Sequence, residues 1–359
     1  MQTPWGPLGS LDLSSHDLCL EILSCDKHQL AEGLVVENLF DQIVDGLPDI
    51  LQDAHLLDID TAVVDTHNER IGRWHAFVWI RTSTPGLGRY LSALEKRFRT
   101  WVVRLDEERT DFLVREYRNG RSSGEKIPIT PFMEQLSGRQ ASPVSVSPEV
   151  RDRARQQQSF WGFLTGTYKS ELGEKVIMPR LFLNHAIQRW FRAVWNLDRI
   201  LVHENRVWLL EIKHKFPFGR KELRFGINRG ELGVFSQLSK AGIDCFHAIL
   251  AKPSWTRDTG SGYLLNQLEQ REHAALIGCI LDQKVIHRMQ HGPQGSSPAH
   301  TTFTGAGQLS YSSLPASAFK RLGMINASRA VLAENLARAI EGSDLPLVTD
   351  QWLSELRTE

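Results

Sequence analysis

The sequence predicts an α/β protein with two domains, and three observations lead to this prediction. Apolar segments rich in Val, Ile, Trp and Phe alternate along the chain with segments of helical periodicity. A stretch rich in Ser and Pro, Ser137 to Pro148, has the composition of a linker. With 359 residues, 41% of them apolar, the chain can bury one large core or two smaller ones. We therefore expect a separate N-terminal α/β domain over residues 1–140, a second domain over 150–285, and a flexible loop with a C-terminal helix over 286–359.

Composition excludes several classes of protein. Lys and Arg total 42 and Asp and Glu also total 42, so nucleic-acid binding would require a local basic patch. The four cysteines include no Cys-x-x-Cys pair, which predicts reduced thiols in a cytoplasmic protein rather than a zinc site or disulfides. The N-terminus lacks the pattern of a signal peptide. No apolar stretch approaches the roughly 20 residues of a membrane helix, so we expect no membrane partner.

The N-terminal part combines one acidic helix with several strands. Val36 to Ala54 has apolar residues at helical spacing, with Gly46 and Pro48 predicting a break or kink. The predicted strands and a short basic helix are Thr61–Val64, Trp74–Arg81, Tyr90–Phe98 (helix), Trp101–Leu105 and Phe112–Tyr117. This pattern indicates a mixed α/β domain without recognisable chemistry. Its expected roles are recognition, regulation, or contact with a second copy or a partner protein.

The C-terminal part alternates helices and strands more regularly. The predicted helices are Tyr168–Leu183, Gly230–Lys240, Tyr263–His273 and Asn326–Glu341. The predicted strands are Trp190–Trp195, Leu197–Val202, Val207–Lys213, Ile243–Leu250 and Ala274–Leu281. Gln290 to Ser317 is rich in Gly, Ser, Pro and Thr, which predicts a long flexible loop.

Charged residues interrupt the most apolar pair of strands. Side chains alternate along a strand, so Glu211 and Lys213 share one face and Ile212 takes the other. A hairpin around the polar turn at 203–206 would bring Asp198 close to them. Buried carboxylates and ammonium groups are costly unless they are paired or hold a metal. The alternatives are an ion pair on an edge strand, with Asp198 starting a turn, or a metal site.

Asp198 followed by Glu211-Ile212-Lys213 resembles the motif of the PD-(D/E)xK nuclease superfamily. That superfamily includes Holliday-junction resolvases, Mrr-type restriction enzymes and RecB-type exonuclease domains. The resemblance covers roughly Tyr168 to Leu250, where a helix, three strands, a helix and a strand are expected in that order. It implies a restriction-endonuclease-like core, in which a central mixed sheet is flanked by helices.

The resemblance also implies roles for the motif residues. Asp198, Glu211 and the carbonyl of Ile212 would bind Mg²⁺ or Mn²⁺, which prefer oxygen ligands. The ion would lower the pKa of a bound water and neutralise charge on the scissile phosphate. Lys213 would orient the water or stabilise the transition state.

A further metal ligand would come from upstream of Asp198. Glu174 resembles the Gly-Glu of resolvase-like members and is the first candidate, with Glu171 and His185 as alternatives. RecB-type members also carry Gln-x-x-x-Tyr on the following helix. This chain departs from that pattern with Glu231-x-x-x-Phe235.

A basic run follows the motif. Its cations could bind the phosphate backbone of DNA beside the metal: Lys215, Arg220, Lys221, Arg224 and Arg229. Three aromatic residues interleave with it and could stack on unpaired bases: Phe216, Phe218 and Phe225. The alternative is a solvated loop whose phenylalanines pack into the core.

These residues together predict a Mg²⁺-dependent deoxyribonuclease, an endonuclease of restriction or antiviral defence by analogy with the superfamily. Two alternatives remain open. The same fold could serve a non-catalytic nucleic-acid-binding or assembly protein, or the nuclease could act on RNA.

Overall fold

The computed structural model describes residues 1–25, 30–141, 159–256, 259–298 and 308–358. Two six-stranded mixed sheets dominate the chain, with a three-stranded and a two-stranded sheet beside them. The predicted α/β class is confirmed. Most of the predicted linker, residues 142–148, lies outside the described residues.

The elements have the following bounds. The strands are β1 (Gln2–Thr3), β2 (Gly6–Pro7), β3 (His55–Leu56), β4 (Ile59–Asp65), β5 (Trp74–Ile80), β6 (Arg99–Leu105), β7 (Phe112–Arg118), β8 (Arg121–Pro128), β9 (Ala193–Leu197), β10 (Arg199–His203), β11 (Arg206–Lys215), β12 (Arg224–Asn228), β13 (Ile243–Ala251), β14 (Ala275–Ile280), β15 (Gln294–Pro298), β16 (Gln308–Pro315) and β17 (Lys320–Met324). The α-helices are α1 (His16–Ser24), α2 (Leu30–Val44), α3 (Leu47–Ile50), α4 (Leu87–Leu94), α5 (Ile129–Ser137), α6 (Ser159–Tyr168), α7 (Met178–Arg180), α8 (Arg229–Ala241), α9 (Tyr263–Asn266), α10 (Leu268–Glu272), α11 (Gln283–His291), α12 (Arg329–Ile340) and α13 (Asp350–Glu355). π-helical turns flank α7 and extend that helix over residues 173–187. No helix of the described residues is long and apolar enough to cross a membrane.

The first large sheet, here called the site sheet, has the strand order β17-β14-β13-β11-β10-β3. β11 runs parallel to β13, while the other neighbouring strands are antiparallel. Val207 and Leu209 of β11 point into one apolar core, and Trp208 and Leu210 into another. The near-continuous apolar sequence of β11 follows from this burial on both faces.

Helices cover both faces of the site sheet. α2 and α12 pack on the face that carries Trp208, and α8 packs on the opposite face. Asn228 is the N-cap of α8, and its side chain accepts a hydrogen bond from the Gly230 N–H at 2.7 Å. It ends at Gly242, which has a φ of +86°, a left-handed conformation that favours glycine.

The second large sheet, here called the second sheet, has the order β8-β7-β6-β5-β4-β9. β5 and β6 are parallel and are connected through α4, while the other neighbours are antiparallel. The helix over residues 173–187 packs on this sheet, where Phe182 contacts Trp79 and Phe112. The predicted strand before Asp198 therefore belongs elsewhere: β9 pairs with β4 rather than extending the site sheet.

Strands from both sides of the proposed boundary near residue 150 contribute to each large sheet. β3 pairs with β10 in the site sheet, and β9 pairs with β4 in the second sheet. α2 also packs on β11. The segment 30–56, assigned from sequence to an N-terminal domain, thus supplies a helix and an edge strand to the site sheet.

The predicted flexible loop at 290–317 is wrong where the structure describes it. β15 pairs with β16, and β16 pairs with β12, forming the three-stranded sheet. Residues 299–307 of this segment lie outside the described residues. The predicted C-terminal helix is confirmed as α12, where the Ser328 side chain accepts a hydrogen bond from the Val331 N–H.

Candidate active site

The predicted hairpin is confirmed and places Asp198 beside Glu211. Arg199 pairs with Leu210 across β10 and β11, so Asp198, just before β10, lies opposite Glu211. Asp198 Oδ2 accepts a hydrogen bond from the Ile212 N–H at 3.0 Å. The N–H and C=O of one strand residue point to the same edge, so the Ile212 carbonyl also faces this side.

Lys213 lies between two carboxylates. Its ammonium group contacts the Glu211 carboxylate and lies 3.0 Å from Glu231 Oε1. Glu231 is in the first turn of α8. The Glu211 side chain is only 4% exposed, while that of Lys213 is 31% exposed. One ammonium group therefore serves two carboxylates at the border between core and solvent.

Burial and mutual repulsion disturb the two motif carboxylates. Burial, and then the negative charge of Asp198, raise the pKa of Glu211 well above its ordinary value. Burial also raises the pKa of Asp198 to about 6, although Lys213 opposes the shift. The ionised forms of both carboxyl groups are thus destabilised where they stand.

The pKa values of Lys213 and Glu231, in contrast, shift in the directions that favour their charged forms. Burial alone would lower the pKa of Lys213, but Glu211 and Glu231 outweigh it and raise that pKa well above the ordinary value. Burial alone would raise the pKa of Glu231, but Lys213 and then Lys215 lower it to about 2. Glu231 and Lys213 are therefore a charged pair at neutral pH.

The donor set fits a hard divalent cation with few protein ligands. Within the described residues, no group of three or more His, Cys, Asp or Glu side chains forms a metal cluster. Mg²⁺, however, often binds through one or two carboxylates and keeps several waters. Asp198 and Glu211 supply two carboxylates whose repulsion a cation would relieve.

The predicted upstream ligands have other partners. The Glu174 carboxylate accepts a hydrogen bond from Arg109 Nη2 at 2.5 Å, and the side chain is half exposed. Glu171 pairs with Lys175 at 3.1 Å. The His185 ring packs edge-on against Trp5, with 5.2 Å between the ring centroids. Glu174 and Glu171 thus form ion pairs away from Asp198.

Glu37 of α2 is an upstream carboxylate that the sequence argument missed. Burial is the main cause of the raised pKa of Asp198, and Lys213 opposes it. The negative charge of Glu37 adds to the upward shift. Its side chain is 40% exposed, and Oε2 lies 3.5 Å from Arg180. α2 is held beside β10 by an ion pair between Asp41 and Arg199, in which Nε and Oδ1 are 2.6 Å apart. The helical pattern of residues 36–54 was visible in the sequence, but nothing local connected it to Asp198.

The basic run divides into internal and exposed cations. Lys215 donates a hydrogen bond to the Gly226 carbonyl, and burial lowers its pKa to about 8. Arg224 Nε donates to Ser313 Oγ at 2.9 Å, and its guanidinium pairs with Glu222. Both side chains are half-buried and hold the three-stranded sheet, and their role in phosphate binding stays a prediction. The exposed cations are Arg220, Lys221 and Arg229.

The interleaved phenylalanines are largely structural. Phe225 is fully buried and packs against Phe319, which corrects its predicted role in base stacking. Phe218 packs edge-on against Tyr311, with 5.5 Å between the ring centroids. Phe216 remains partly exposed.

A buried histidine borders the site. His247 of β13 pairs in register with Glu211 of β11 and is fully buried. Neither ring nitrogen has a hydrogen-bond partner among the described residues. Burial, and then Lys215, lower its pKa to about 3, so the imidazole is neutral. Apart from its place in an apolar strand, nothing in the sequence indicates a role for this residue.

Comparison with protein-family models, with curated proteins and with solved structures finds no match for this chain. Membership of the PD-(D/E)xK superfamily therefore stays a prediction, based on the motif residues and their placement.

Proposed function

We propose that this chain is a Mg²⁺- or Mn²⁺-dependent nuclease that hydrolyses phosphodiester bonds of DNA. The observation that carries the proposal is the convergence of Asp198, Glu211 and Lys213 on one face of the β10–β11 hairpin. Two repelling carboxylates beside an ammonium group are costly for a fold and useful for cation-assisted phosphate chemistry.

The order of elements around the site supports a restriction-endonuclease-like core. In chain order the site sheet and its helices include α2, β3, β10, β11, α8 and β13, which are a helix, three strands, a helix and a strand, with α3 before β3 and β12 before α8. This is the order implied by the superfamily motif, but with the helix and first strand taken from residues 30–56. The second sheet is then a large insertion between β3 and β10.

The residues of the chain have distinct parts in the proposed reaction. Asp198 and Glu211 would hold the cation, which lowers the pKa of a bound water and neutralises phosphate charge. Lys213 would donate hydrogen bonds to the attacking water or to a phosphate oxygen. The negative charge of Glu37 acts on Asp198, which makes Glu37 a further candidate for the upstream ligand beside Glu174.

The test is cleavage of supercoiled plasmid DNA with Mg²⁺ or Mn²⁺, compared with EDTA. We expect cleavage by the wild type and loss of cleavage in Asp198→Asn and in Lys213→Met. Asp65→Asn, which removes a buried carboxylate of the second sheet, is the matched control and should retain cleavage. Equal rates in the wild type and both site variants would overturn the proposal. A single-stranded RNA arm separates a ribonuclease from a deoxyribonuclease.

One observation favours a second candidate, a non-catalytic DNA-binding protein on the same core. Lys213 is shared by Glu211 and Glu231, a closed arrangement that would also suit a purely structural ion-pair network. This candidate predicts salt-dependent DNA binding without cleavage under any metal condition.

A further inference from the structure

The two contacts of Lys213 give Glu231 a role beyond ion pairing. We propose that Glu231 is a positioning residue, which takes over the Lys213 ammonium group when a divalent cation binds to Glu211. This inference rests on the proposed function, because it concerns the same cation.

Competition for Glu211 is the reason a second partner is needed. In the structure, Lys213 contacts the same carboxylate that would bind the cation. A cation bound to Glu211 would repel the ammonium group on the same carboxylate and weaken that contact. Moving Lys213 away without a new partner would leave a partly buried charge unpaired, which is strongly unfavourable.

Glu231 is placed to receive the ammonium group with little movement. Its Oε1 already lies 3.0 Å from Lys213 Nζ, and its side chain is only 13% exposed. Lys213 would need to release Glu211 and keep an existing contact. The exchange therefore requires no change in the backbone of β11 or α8.

The first turn of α8 is fixed from several sides. Asn228 caps the helix, and Gly230 packs so closely on Trp195 that a Cβ there would lie 2.7 Å from the indole ring. One turn after Glu231, the ring of Phe235 packs edge-on against His247. A negative side chain in the first turn is also favoured by the helix dipole. Glu231 is thus held in position and ionised.

Two other polar groups that act on Glu231, Lys215 and His247, do not take the place of Lys213 as its ion-pair partner. Lys215 is committed to the Gly226 carbonyl, and His247 is fully buried. A glutamine at position 231 could bond to an ammonium group but would carry no compensating charge. Glu231 therefore supplies the negative charge that the Lys213 ammonium group needs when it leaves Glu211.

A double-mutant cycle on Mn²⁺ affinity tests the inference without DNA or cleavage. Calorimetry is performed on the full chain as wild type, Glu231→Gln, Lys213→Met and the double variant. We expect Glu231→Gln to weaken Mn²⁺ binding about tenfold in the wild type, as couplings between contacting residues allow, and less than about twofold in the Lys213→Met background. Glu222→Gln, an exposed carboxylate paired with Arg224, is the control and should leave the affinity unchanged.

Each outcome has one meaning. Equal weakening by Glu231→Gln in both backgrounds would show a simple effect of charge and would overturn the inference, as would no weakening in either. Absence of Mn²⁺ binding by the wild type would overturn the proposed function and the inference with it. Thermal unfolding checks that each variant is folded, and Lys213→Gln replaces Lys213→Met if the latter does not fold.

Discussion

The two large sheets treat buried charge differently. In the second sheet the buried Asp65 and the half-buried Asp60 each have an arginine partner. Asp65 accepts hydrogen bonds from Arg73 at 3.0 and 3.1 Å, and Arg81 bonds to Asp58 at 2.7 Å and also contacts Asp60. In such pairs the guanidinium group offsets the charge of the carboxylate directly beside it, in a geometry that suits carboxylates, although burial still raises the pKa of Asp60.

The site sheet lacks this balance. Asp198, Glu211 and Glu231 converge on Lys213, and Asp198 has only the Ile212 N–H as a direct hydrogen-bond donor among the described residues. Uncompensated strain of this kind persists where a function requires it, at some cost in stability. The difference between the sheets teaches that local charge balance, not the number of buried charges, distinguishes a structural pair from a candidate site.

The largest expected effect comes from neutralising Glu211. If the proposed function holds, Glu211→Gln should reduce DNA cleavage by about a thousandfold or more, because it removes a ligand of the proposed cation. The same variant should unfold at a higher temperature in EDTA, since it removes the repulsion with Asp198. Plasmid cleavage and thermal unfolding measure the two effects.

Asp65→Asn makes the matched change in the second sheet and should give the reverse result. Loss of a buried carboxylate that binds Arg73 should lower the free energy of unfolding by about 2 kcal/mol, with cleavage retained. If both variants shifted stability in the same direction, the contrast between the sheets would fail.

The second effect concerns the contact that joins the sheets. Trp195 of β9 packs on Gly230 of α8, where a Cβ would lie 2.7 Å from the ring and 3.2 Å from Asn228 Oδ1. Gly230→Ala should therefore destabilise the protein by about 2 kcal/mol through overpacking. Gly233→Ala in the same helix is the control, because its Cβ would meet only Trp74, at 3.9 Å. It should be neutral or stabilising, since Ala favours helices. Urea unfolding of both variants measures the difference.

The third effect is a dependence of stability on pH. The pKa of Asp198 rises from 3.8 to about 6 on folding, so the native state holds this proton more tightly than the unfolded chain. Without metal, the free energy of unfolding should fall by about 1 kcal/mol from about pH 5 to about pH 7 owing to this group. The pKa of Glu231 is lowered from 4.5 to about 2, so this group reduces the free energy of unfolding only when the pH falls below about 4.5.

Asp198→Asn should make this fall smaller without abolishing it, because burial also raises the pKa of Glu211. Saturating Mn²⁺ should reduce the fall in the wild type by stabilising the ionised carboxylates. Urea unfolding at several pH values measures the slope. An unchanged slope in the Asn variant would contradict the assigned pKa of Asp198.

Local features of the site were predictable from sequence. The β10–β11 hairpin was predictable from the apolar run that ends in Glu211-Ile212-Lys213 and from the polar turn before it. Strand and turn preferences depend on residues that are neighbours in the sequence. Gly242 marks the end of α8 for the same reason. Glu231, the second carboxylate that contacts Lys213, stood out in the sequence only because Glu231-x-x-x-Phe235 departs from the Gln-x-x-x-Tyr pattern of RecB-type proteins.

Long-range features were not predictable. α2 and Glu37 reach the site from far upstream, and helix periodicity does not specify which sheet a helix packs on. Only Asp198 separates β9 from β10 in the chain, and no local feature of the sequence indicates that these strands belong to different sheets. Within the Ser- and Gly-rich segment 290–317, β16 pairs with β12 and β15 pairs with β16, and this pairing outweighs the weak strand preference of their residues.

The smallest effect concerns the exposed cations beside the site sheet. Arg220 and Lys221 follow the turn at Gly219, which has a φ of +119°, and both are exposed. If they contact phosphates, Arg220→Ala/Lys221→Ala should lower the slope of log affinity against log salt by about 2. Arg118→Ala/Arg121→Ala removes two exposed cations from the hairpin of β7 and β8 in the second sheet and should leave the slope unchanged. Fluorescence anisotropy with duplex DNA in EDTA measures both slopes. Equal losses in the two variants would show diffuse attraction and no preferred phosphate contact at the site sheet.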